Sequence, residues 1–326
     1  MFRLNGSDVL DPLGDILDQA RFRSTIFCRS DMTAPWGFSV SSREISTFHF
    51  VECGACWLEV QDAAITIPLQ TGDLVVLPHG HAHAMKDAQN SPVTRLDDLL
   101  AGGQALASGT LHFGGGGVAT TLICGGFIFD HRDALPFLSA LPPVLHTRER
   151  GSRIGSCLRI ALEIIAGETG SDRIGANTMI SRIADLIFIE SVKSHFTDAA
   201  GSPRGWFAAL RDRHVGKAIS LIHREPHRPW TVESLASEVG MSRTAFALRF
   251  SLLLGESPIR YLASRRIARA GHLLENAQLT VAKIAENVGY DSEVAFSRAF
   301  KRHVGLSPIE YRRAHRYRGK PATTQT

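Results

Sequence analysis

Three histidines stand at alternate positions in the stretch LPHGHAH, which runs from Leu77 to His83. Alternate side chains of a β-strand share one face of the sheet, and histidine is the commonest metal ligand in proteins. The pattern raises the hypothesis of a catalytic metal site that includes His79, His81 and His83. Such a site needs about three protein ligands held in one place, so neighbouring elements have to supply and position the rest.

Strands are the elements expected to position these histidines. The run STFHFVECGACWLEV contains His49, and AITIPLQTGDLVVLP leads directly into LPHGHAH. Both runs are rich in β-branched and aromatic residues and are broken by Gly and Pro turns, as in an all-β domain. We therefore expect residues from about 25 to 130 to form a sheet-rich domain.

Five cysteines could also carry chemistry: Cys28, Cys53, Cys56, Cys124 and Cys157. The odd count argues against a disulfide framework, and CGAC at Cys53 to Cys56 has no second pair that would complete a structural zinc site. Cys28 and Cys124 fall in predicted strands, where a buried cysteine serves as a small apolar residue. Oxidant sensing by these thiols remains an alternative, because the sequence does not say whether they lie near one another.

Length and charge divide the chain in two. Its 326 residues, 44% of them apolar, are enough for two domains with real cores. From Gly201 onward there are 21 Lys and Arg against 10 Asp and Glu, a net charge of +11, whereas the preceding residues carry 15 against 22, a net of −7. This split indicates that the C-terminal part meets a polyanion.

The chain shows neither a secretion signal nor a membrane helix. Its first 22 residues carry charges throughout, and the charge-free run 99–129 contains nine glycines, which disfavour a helix. We therefore expect a cytoplasmic protein.

The middle of the chain changes to a helical pattern. LRIALEIIAGE and NTMISRIADLIFIESVKSHF space their apolar residues as helices do. The helix from Asn177 to Val192 is apolar over most of its circumference, so it is expected to pack on the strand domain or on its copy in a homodimer. TDAAGSPRGW, from Thr197 to Trp206, has the composition of a linker.

The C-terminal part contains an internal repeat. TVESLASEVG, from Thr231, matches TVAKIAENVG, from Thr280, at an offset of 49 residues. SRTAFALRFSLLLGESPIRY, from Ser242, matches SEVAFSRAFKRHVGLSPIEY, from Ser292, at an offset of 50. Two copies of one supersecondary unit are therefore present, and the second turn holds one extra residue.

Each copy has the sequence features of a helix-turn-helix. A Thr cap opens a short helix, a Gly ends it, and a Ser cap opens a second helix with Phe at positions i and i+4 on one face. The other face of such a second helix can enter the major groove of DNA. A single long helix from Pro258 to Leu274 connects the two units, and a helical bundle that binds protein is the alternative.

The repeat resembles the DNA-binding domain of the AraC/XylS family of bacterial transcription regulators. IAENVGYDSEVAFSRAFKRHVGLSPIEYR follows the family pattern almost throughout, and WTVESLASEVGMSRTAFALRF is similar but looser. The resemblance implies double-stranded DNA as the partner, with RNA polymerase as a second one. The side chains that it places toward the groove are Arg243, Thr244, Ala247, Leu248, Glu293, Val294, Ser297 and Arg298.

The groove-facing residues differ between the two copies. Leu248 stands where the family usually has an arginine, so Ala247 and Leu248 offer only apolar contact, suited to thymine methyl groups. Arg298 can bind guanine in bidentate fashion. Cations expected at phosphates, or else on a solvated face, are Lys301, Arg302 and Arg265.

The N-terminal half resembles the cupin-type sensor domain of one branch of that family. TGDLVVLPHGHAH has the spacing of the second cupin motif, and APWGF, FHFVECGACWLEV and LPPVLH extend the likeness over most of residues 10–145. The resemblance implies a β-barrel with an interior cavity. Its first motif offers only His49, with Val51 at the partner position and Glu52 out of place, and the Pro-Gly turn puts His79 outside the barrel.

His49 and His83, with His81 as a further candidate, are too few for a metal site. We expect His49 and His83 to line an interior that either binds a small-molecule effector or is a packed core with hydrogen-bonded histidines, with no metal and no cofactor. The alternative from another class is a metal-dependent cupin enzyme fused to a DNA-binding domain.

These observations predict a two-domain regulator rather than an enzyme. Residues 1–145 are expected to form a cupin-like β-barrel, 146–205 a helical dimerisation region and linker, and 206–326 an all-α domain with two helix-turn-helix units. The predicted function is sequence-specific binding of DNA by a homodimer that regulates transcription in response to an effector; the sequence does not decide between an activator and a repressor.

Overall fold

The computed structural model describes residues 11–17, 22–101, 110–129, 136–148, 160, 164, 175–198, 205–276 and 278–316. These residues fall into two compact units. The sheet unit contains the described parts of 22–129 and 141–200, and the helical unit contains those of 201–326 together with helices near residues 12–17 and 136–140.

The sheet unit is built from eleven described strands. They are β1 (Phe22–Thr33), β2 (Gly37–Val40), β3 (Ser46–Cys53), β4 (Ala55–Val60), β5 (Ile65–Gln70), β6 (Leu74–Leu77), β7 (His83–Lys86), β8 (Thr94–Arg95), β9 (Thr110–Gly114), β10 (Ala119–Phe129) and β11 (Leu145–Thr147). One sheet has the order β11-β6-β3-β10-β1-β9, and the other has the order β5-β4-β7-β2-β8.

The two sheets share one apolar core. Met32 and Leu122 from the first sheet pack in one cluster with Phe38, Leu58 and Met85 from the second. Alternation along the strands explains this arrangement, since every second residue points inward. The described strands thus form two packed sheets, not the single closed ring implied by the predicted barrel.

The middle helix covers the outer face of the first sheet. Helix α4 (Ala176–Asp198) follows α1 (Pro12–Leu17), α2 (Leu96–Ala101) and α3 (Pro136–Ala140). The Phe188 ring lies 5.0 Å from that of Phe127 and 5.2 Å from that of Phe129. One face of α4 therefore packs on the strand domain, the first of the two expected arrangements, while Met179 and Leu186 stay 40% and 57% exposed.

The helical unit contains α1, α3 and eight further described helices. These are α5 (Trp206–Arg211), α6 (Arg213–Arg224), α7 (Val232–Glu238), α8 (Arg243–Leu254), α9 (Pro258–Asn276), α10 (Val281–Asn287), α11 (Glu293–Val304) and α12 (Pro308–Arg316). The predicted boundaries at 145 and 205 cut the chain in sequence order, whereas α1 packs on α6 and α3 packs on α5. The Asp15 carboxylate accepts a hydrogen bond from the Ser220 hydroxyl.

The two repeats form equivalent pairs of helices. Helices α7 and α10 have seven residues each, and α8 and α11 have twelve each. Phe246 and Phe250 anchor α8 to the interior, as Phe296 and Phe300 anchor α11. Among the described residues, no helix is both long and apolar enough to cross a membrane.

Candidate nucleic-acid interface and thiol–imidazole cluster

Local hydrogen bonds set the start of each second helix. The Ser242 hydroxyl accepts from the backbone N–H of Ala245 at 3.3 Å, and Ser292 caps α11 in the same way at 3.2 Å. The preceding turns need a left-handed residue, and Gly240 and Gly289 have φ of 70° and 88°. A Cβ on Gly289 would also lie 2.5 Å from the His227 carbonyl oxygen, so this turn and the helix that it aims depend on glycine.

The predicted DNA-contacting residues lie together on the outer faces of α8 and α11. Ala247 and Ser297, which are equivalent at the offset of 50, are half-buried beside the phenylalanine anchors. The eight exposed members of the set are Arg243, Thr244, Leu248, Glu293, Val294, Arg298, Lys301 and Arg302.

The predicted phosphate contact of Arg265 is wrong. It lies within α9 and is only 8% exposed, so its guanidinium cannot reach a phosphate. Burial lowers its pKa, while the neighbouring Tyr261 raises it. Residue 265 follows the core residue Tyr261 by four positions and therefore shares its buried face, a signal that was present in the sequence.

Arg249 of α8 is held by a carboxylate of its own unit. Its Nε lies 2.6 Å from Oδ2 of Asp212, whose other oxygen accepts from the backbone N–H groups of His214 and Val215 and so caps α6. Burial raises the pKa of Asp212, but the hydrogen bonds from Val215 and Arg249 outweigh it and hold the pKa below its ordinary value. Arg249 therefore anchors α8 instead of facing the groove.

In the sheet unit, His49 and two cysteines are cross-strand neighbours. Cys124 of β10 pairs with Cys28 of β1 on one side and with His49 of β3 on the other. All three point into the shared core, and His83 of β7 reaches His49 from the opposite sheet. The sequence predicted His49 and His83 in the interior and left the position of the two thiols open.

Three hydrogen bonds determine the tautomers of the two imidazoles. Nδ1 of His83 lies 2.8 Å from the carbonyl oxygen of His81, which can only accept, so this nitrogen carries a proton. Burial lowers the pKa of His49 and of His83, so both rings are neutral, and Nε2 of His83 accepts from Nε2 of His49 at 2.8 Å. Nδ1 of His49 is then an acceptor, and the Cys124 thiol lies 3.1 Å from it.

The two thiols hold their protons unequally. A hydrogen bond from Cys124 lowers the pKa of Cys28 from 9.0 to about 7, although burial acts in the opposite direction. Donation to Cys28 and burial raise the pKa of Cys124 well above its ordinary value. Cys28 is therefore the thiol that ionises first, and the Cys124 proton has two acceptors, His49 and the Cys28 sulfur.

Two spaces border this cluster. A cavity of about 30 Å³ is lined by Cys28, His49 and Cys124, together with Arg43 and Thr47. It has room for one or two water-sized molecules, far less than the roughly 300 Å³ of an ordinary organic-ligand pocket.

A groove of about 400 Å³ runs past His83 on the second sheet. Its walls include Arg95 and the partly buried ion pair between Lys86 and Glu59. The rings of His79 and His81 meet edge to face at 5.5 Å in a turn outside the sheets, as expected. Nε2 of His79 donates a hydrogen bond to the carbonyl oxygen of Leu141 at 2.9 Å. The described residues contain no group of three or more His, Cys, Asp or Glu arranged for a metal ion.

Comparison with known proteins matches both parts of the chain. A family model described as Cupin matches residues 11–197, and one described as Helix-turn-helix domain matches residues 235–314. The HTH-type transcriptional regulator AlkR of Acinetobacter baylyi is 32% identical over 93% of this chain and 99% of its own. A putative AraC-like transcription regulator of Streptomyces lividans is 31% identical over 93% of this chain and 98% of its own.

A crystal structure of the DNA-binding domain of AdpA in complex with a target DNA is 34% identical and covers 33% of this chain and 96% of that one, with a TM-score of 0.32.

A cupin unit joined to two helix-turn-helix units defines a transcription regulator with a DNA-binding part and a separate cupin part. The chain belongs to the AraC family of HTH-type transcriptional regulators. The family and the two-part fold predicted from the repeat and the cupin motif are thus confirmed.

Proposed function

We propose that this regulator binds one duplex operator through both helix-turn-helix units. The observation that carries the proposal is the equivalence of α8 and α11, which have the same length, caps and anchoring phenylalanines and expose their outer faces. The connecting helix α9 has 19 residues and is therefore roughly 28 Å long. This length is close to the roughly 34 Å between successive major grooves on one face of DNA.

Selection of duplexes from a randomised library with the full-length protein tests this proposal. We expect enrichment of one motif with two conserved patches about 10 base pairs apart. Enrichment of no motif would contradict the proposal, and a single patch would mean that one unit alone contacts DNA.

We further propose that the protein acts in the cytoplasm as a homodimer that recruits RNA polymerase and activates transcription. The exposed apolar residues Met179 and Leu186 on α4 support the dimer, since they are about two turns apart and therefore share its outer face. A reporter gene placed behind the enriched motif distinguishes activation, which we expect, from repression.

The sheet unit is proposed to sense rather than to catalyse. The Nε2 atoms of His49 and His83, which would have to bind a metal in a cupin enzyme, are hydrogen-bonded to each other. Elemental analysis of protein purified without chelator tests this proposal. One equivalent of iron, manganese or zinc per chain, lost on His49→Ala, would overturn it in favour of the enzyme.

An organic effector fits the groove beside His83, whereas the interior cavity is too small for one. The groove offers Arg95 as a cation, which suits a ligand with an anionic group. His83, whose two ring nitrogens are hydrogen-bonded to His81 and His49, lines the groove and links it to the interior. His83→Ala should then weaken the response to the effector, while the operator affinity of the effector-free protein stays the same.

A second candidate function, the sensing of oxidants, is favoured by the pairing of Cys28 with Cys124. Directly opposed residues of antiparallel strands have Cα atoms roughly 4.5–5.5 Å apart, a separation that a disulfide spans. The cavity beside the thiols admits a molecule the size of hydrogen peroxide. The Cys28 thiolate would attack peroxide to give a sulfenic acid and hydroxide, and the Cys124 thiol would then displace water to form the disulfide.

This reaction transfers two electrons from the two sulfurs to one peroxide, and the two released thiol protons complete two waters. His49, hydrogen-bonded to Cys124, can accept its proton during the second step. Mass spectrometry of peroxide-treated protein should find the Cys28 and Cys124 peptides linked, and dithiothreitol should separate them. Cys53→Ser, which removes an exposed thiol, is the control, and an oxidant response that survives Cys28→Ser would contradict the proposal.

A further inference from the structure

The outer face of α8 carries two solvent-exposed leucines. Leu248 is 68% exposed and Leu252 is 57% exposed. Because they are four residues apart, they form one apolar stripe along the helix. Neither contributes to the core of its unit, where Phe246 and Phe250 lie on the opposite side.

The same positions of α11 carry arginines. At the offset of 50 residues, Leu248 corresponds to Arg298 and Leu252 corresponds to Arg302. Both helices begin at a serine cap and end at a left-handed glycine, so the side chains leave equivalent backbones in equivalent directions. One helix-turn-helix unit thus presents an apolar surface where the other presents a cationic one.

The remaining cations of α8 do not give its outer face the positive charge of α11. Arg249 is held by Asp212 at 2.6 Å, and its equivalent in α11 is the buried Ala299. Arg243, at the first turn of α8, is the only other Lys or Arg of this helix. At Leu248 and Leu252, therefore, α8 lacks the arginines that α11 has at its equivalent positions.

We infer that the two units read DNA by different chemistry: Leu248 recognises the C5-methyl group of thymine, while Arg298 and its neighbours supply hydrogen bonds and phosphate contacts. The inference rests on the proposed binding of one operator by both units. In the major groove the thymine methyl is the one apolar group that a base edge presents. An exposed leucine next to Ala247 and Thr244 matches it, whereas a guanine edge facing Leu248 would lose its hydrogen bonds to water.

Replacement of single thymines by deoxyuridine tests the inference without altering the protein. The probe is the duplex enriched from the randomised library, with each thymine in turn replaced and binding to the full-length protein measured. Loss of one contacted methyl should weaken binding about fourfold, the effect of about one buried CH₂ group. The effect should be confined to the part of the operator bound by α8, apart from any thymine contacted by Val294 of α11.

The Leu248→Ala variant assigns the contact. At the thymine read by Leu248, uracil should cost the variant less than a factor of two, because the contact is already lost. Leu306→Ala, which also shortens an exposed leucine of the helical unit, should keep the full fourfold cost. Equal loss in Leu248→Ala and the wild type at every sensitive thymine would overturn the inference, as would the absence of any sensitive thymine.

The inference and the proposed function fail in different ways. If no duplex is enriched, the proposed operator binding fails and the inference falls with it. If a duplex is enriched but uracil is tolerated throughout, operator binding stands and the inference alone fails. An unchanged operator affinity of Leu248→Ala would then show that Leu248 does not contribute to DNA binding.

Discussion

The Sγ atom of Cys124 lies 3.1 Å from Nδ1 of His49, and Nε2 of His49 is hydrogen-bonded to Nε2 of His83. The chain of hydrogen bonds ends at the carbonyl oxygen of His81. It joins two sheets through buried polar groups, each of which has a partner. The state of the thiols is therefore coupled to the packing of the two sheets.

The Cys28 thiol should ionise with a midpoint near pH 7, because a hydrogen bond from Cys124 lowers its pKa to about 7. The thiolate fraction therefore rises as the pH rises through this value. The ¹³Cβ shift of labelled cysteine reports it directly, and Cys124→Ala should move the midpoint upward. Cys56, whose pKa burial raises to about 12, is the internal control. A Cys28 midpoint that is unchanged in Cys124→Ala would contradict this account.

Stability should fall as the pH drops below about 6.5, the ordinary pKa of histidine. Burial lowers the pKa of His49 in the folded state, so the unfolded chain binds the proton first and gains free energy from it. His49 thus contributes stability that is present above the unfolded pKa and is lost as the pH falls. Thermal unfolding of His49→Gln should show a weaker pH dependence than thermal unfolding of the wild type. His112→Gln, at an exposed histidine, is the control and should show the same pH dependence as the wild type.

The sequence predicted features that depend on neighbouring residues better than contacts between strands. The helix caps and the glycine turns follow from a short-range pattern, and the structure places them as expected. The pairing of Cys28 with Cys124 depends instead on strand order and on an irregularity in β1 next to residue 28, which a single sequence does not contain. The positive charge of Arg265 suggested a phosphate contact, whereas its position four residues after Tyr261 indicated a buried side chain.

Arg298→Ala should weaken operator binding by about 1–3 kcal/mol and relax preference at one base pair. Lys301→Ala should instead weaken binding to all sequences alike and reduce the salt slope by about 1. Competition binding at two salt concentrations separates these effects. Arg182→Ala, which removes an exposed arginine of the sheet unit, is the matched control. Loss of the same size for all three variants would mean that only net charge matters.

Leu186→Asp should convert the proposed dimer to monomers that remain folded, since residue 186 is mostly exposed and exposed substitutions change stability by roughly 0.5 kcal/mol or less. Ile187→Asp should unfold the sheet unit, because Ile187 is buried within its own chain. Sedimentation together with thermal unfolding distinguishes the two outcomes. Val118→Asp, at another exposed apolar residue, is the control. A wild-type protein that is monomeric at micromolar concentration would contradict the proposed dimer.

Genome-wide mapping of the DNA fragments bound by the purified full-length protein tests the central claim most directly. The account predicts a limited set of sites near promoters that share one two-part motif and that Arg298→Ala no longer occupies. Uniform recovery of genomic fragments, the same for the wild type and Arg298→Ala, would contradict sequence-specific regulation through the two helix-turn-helix units.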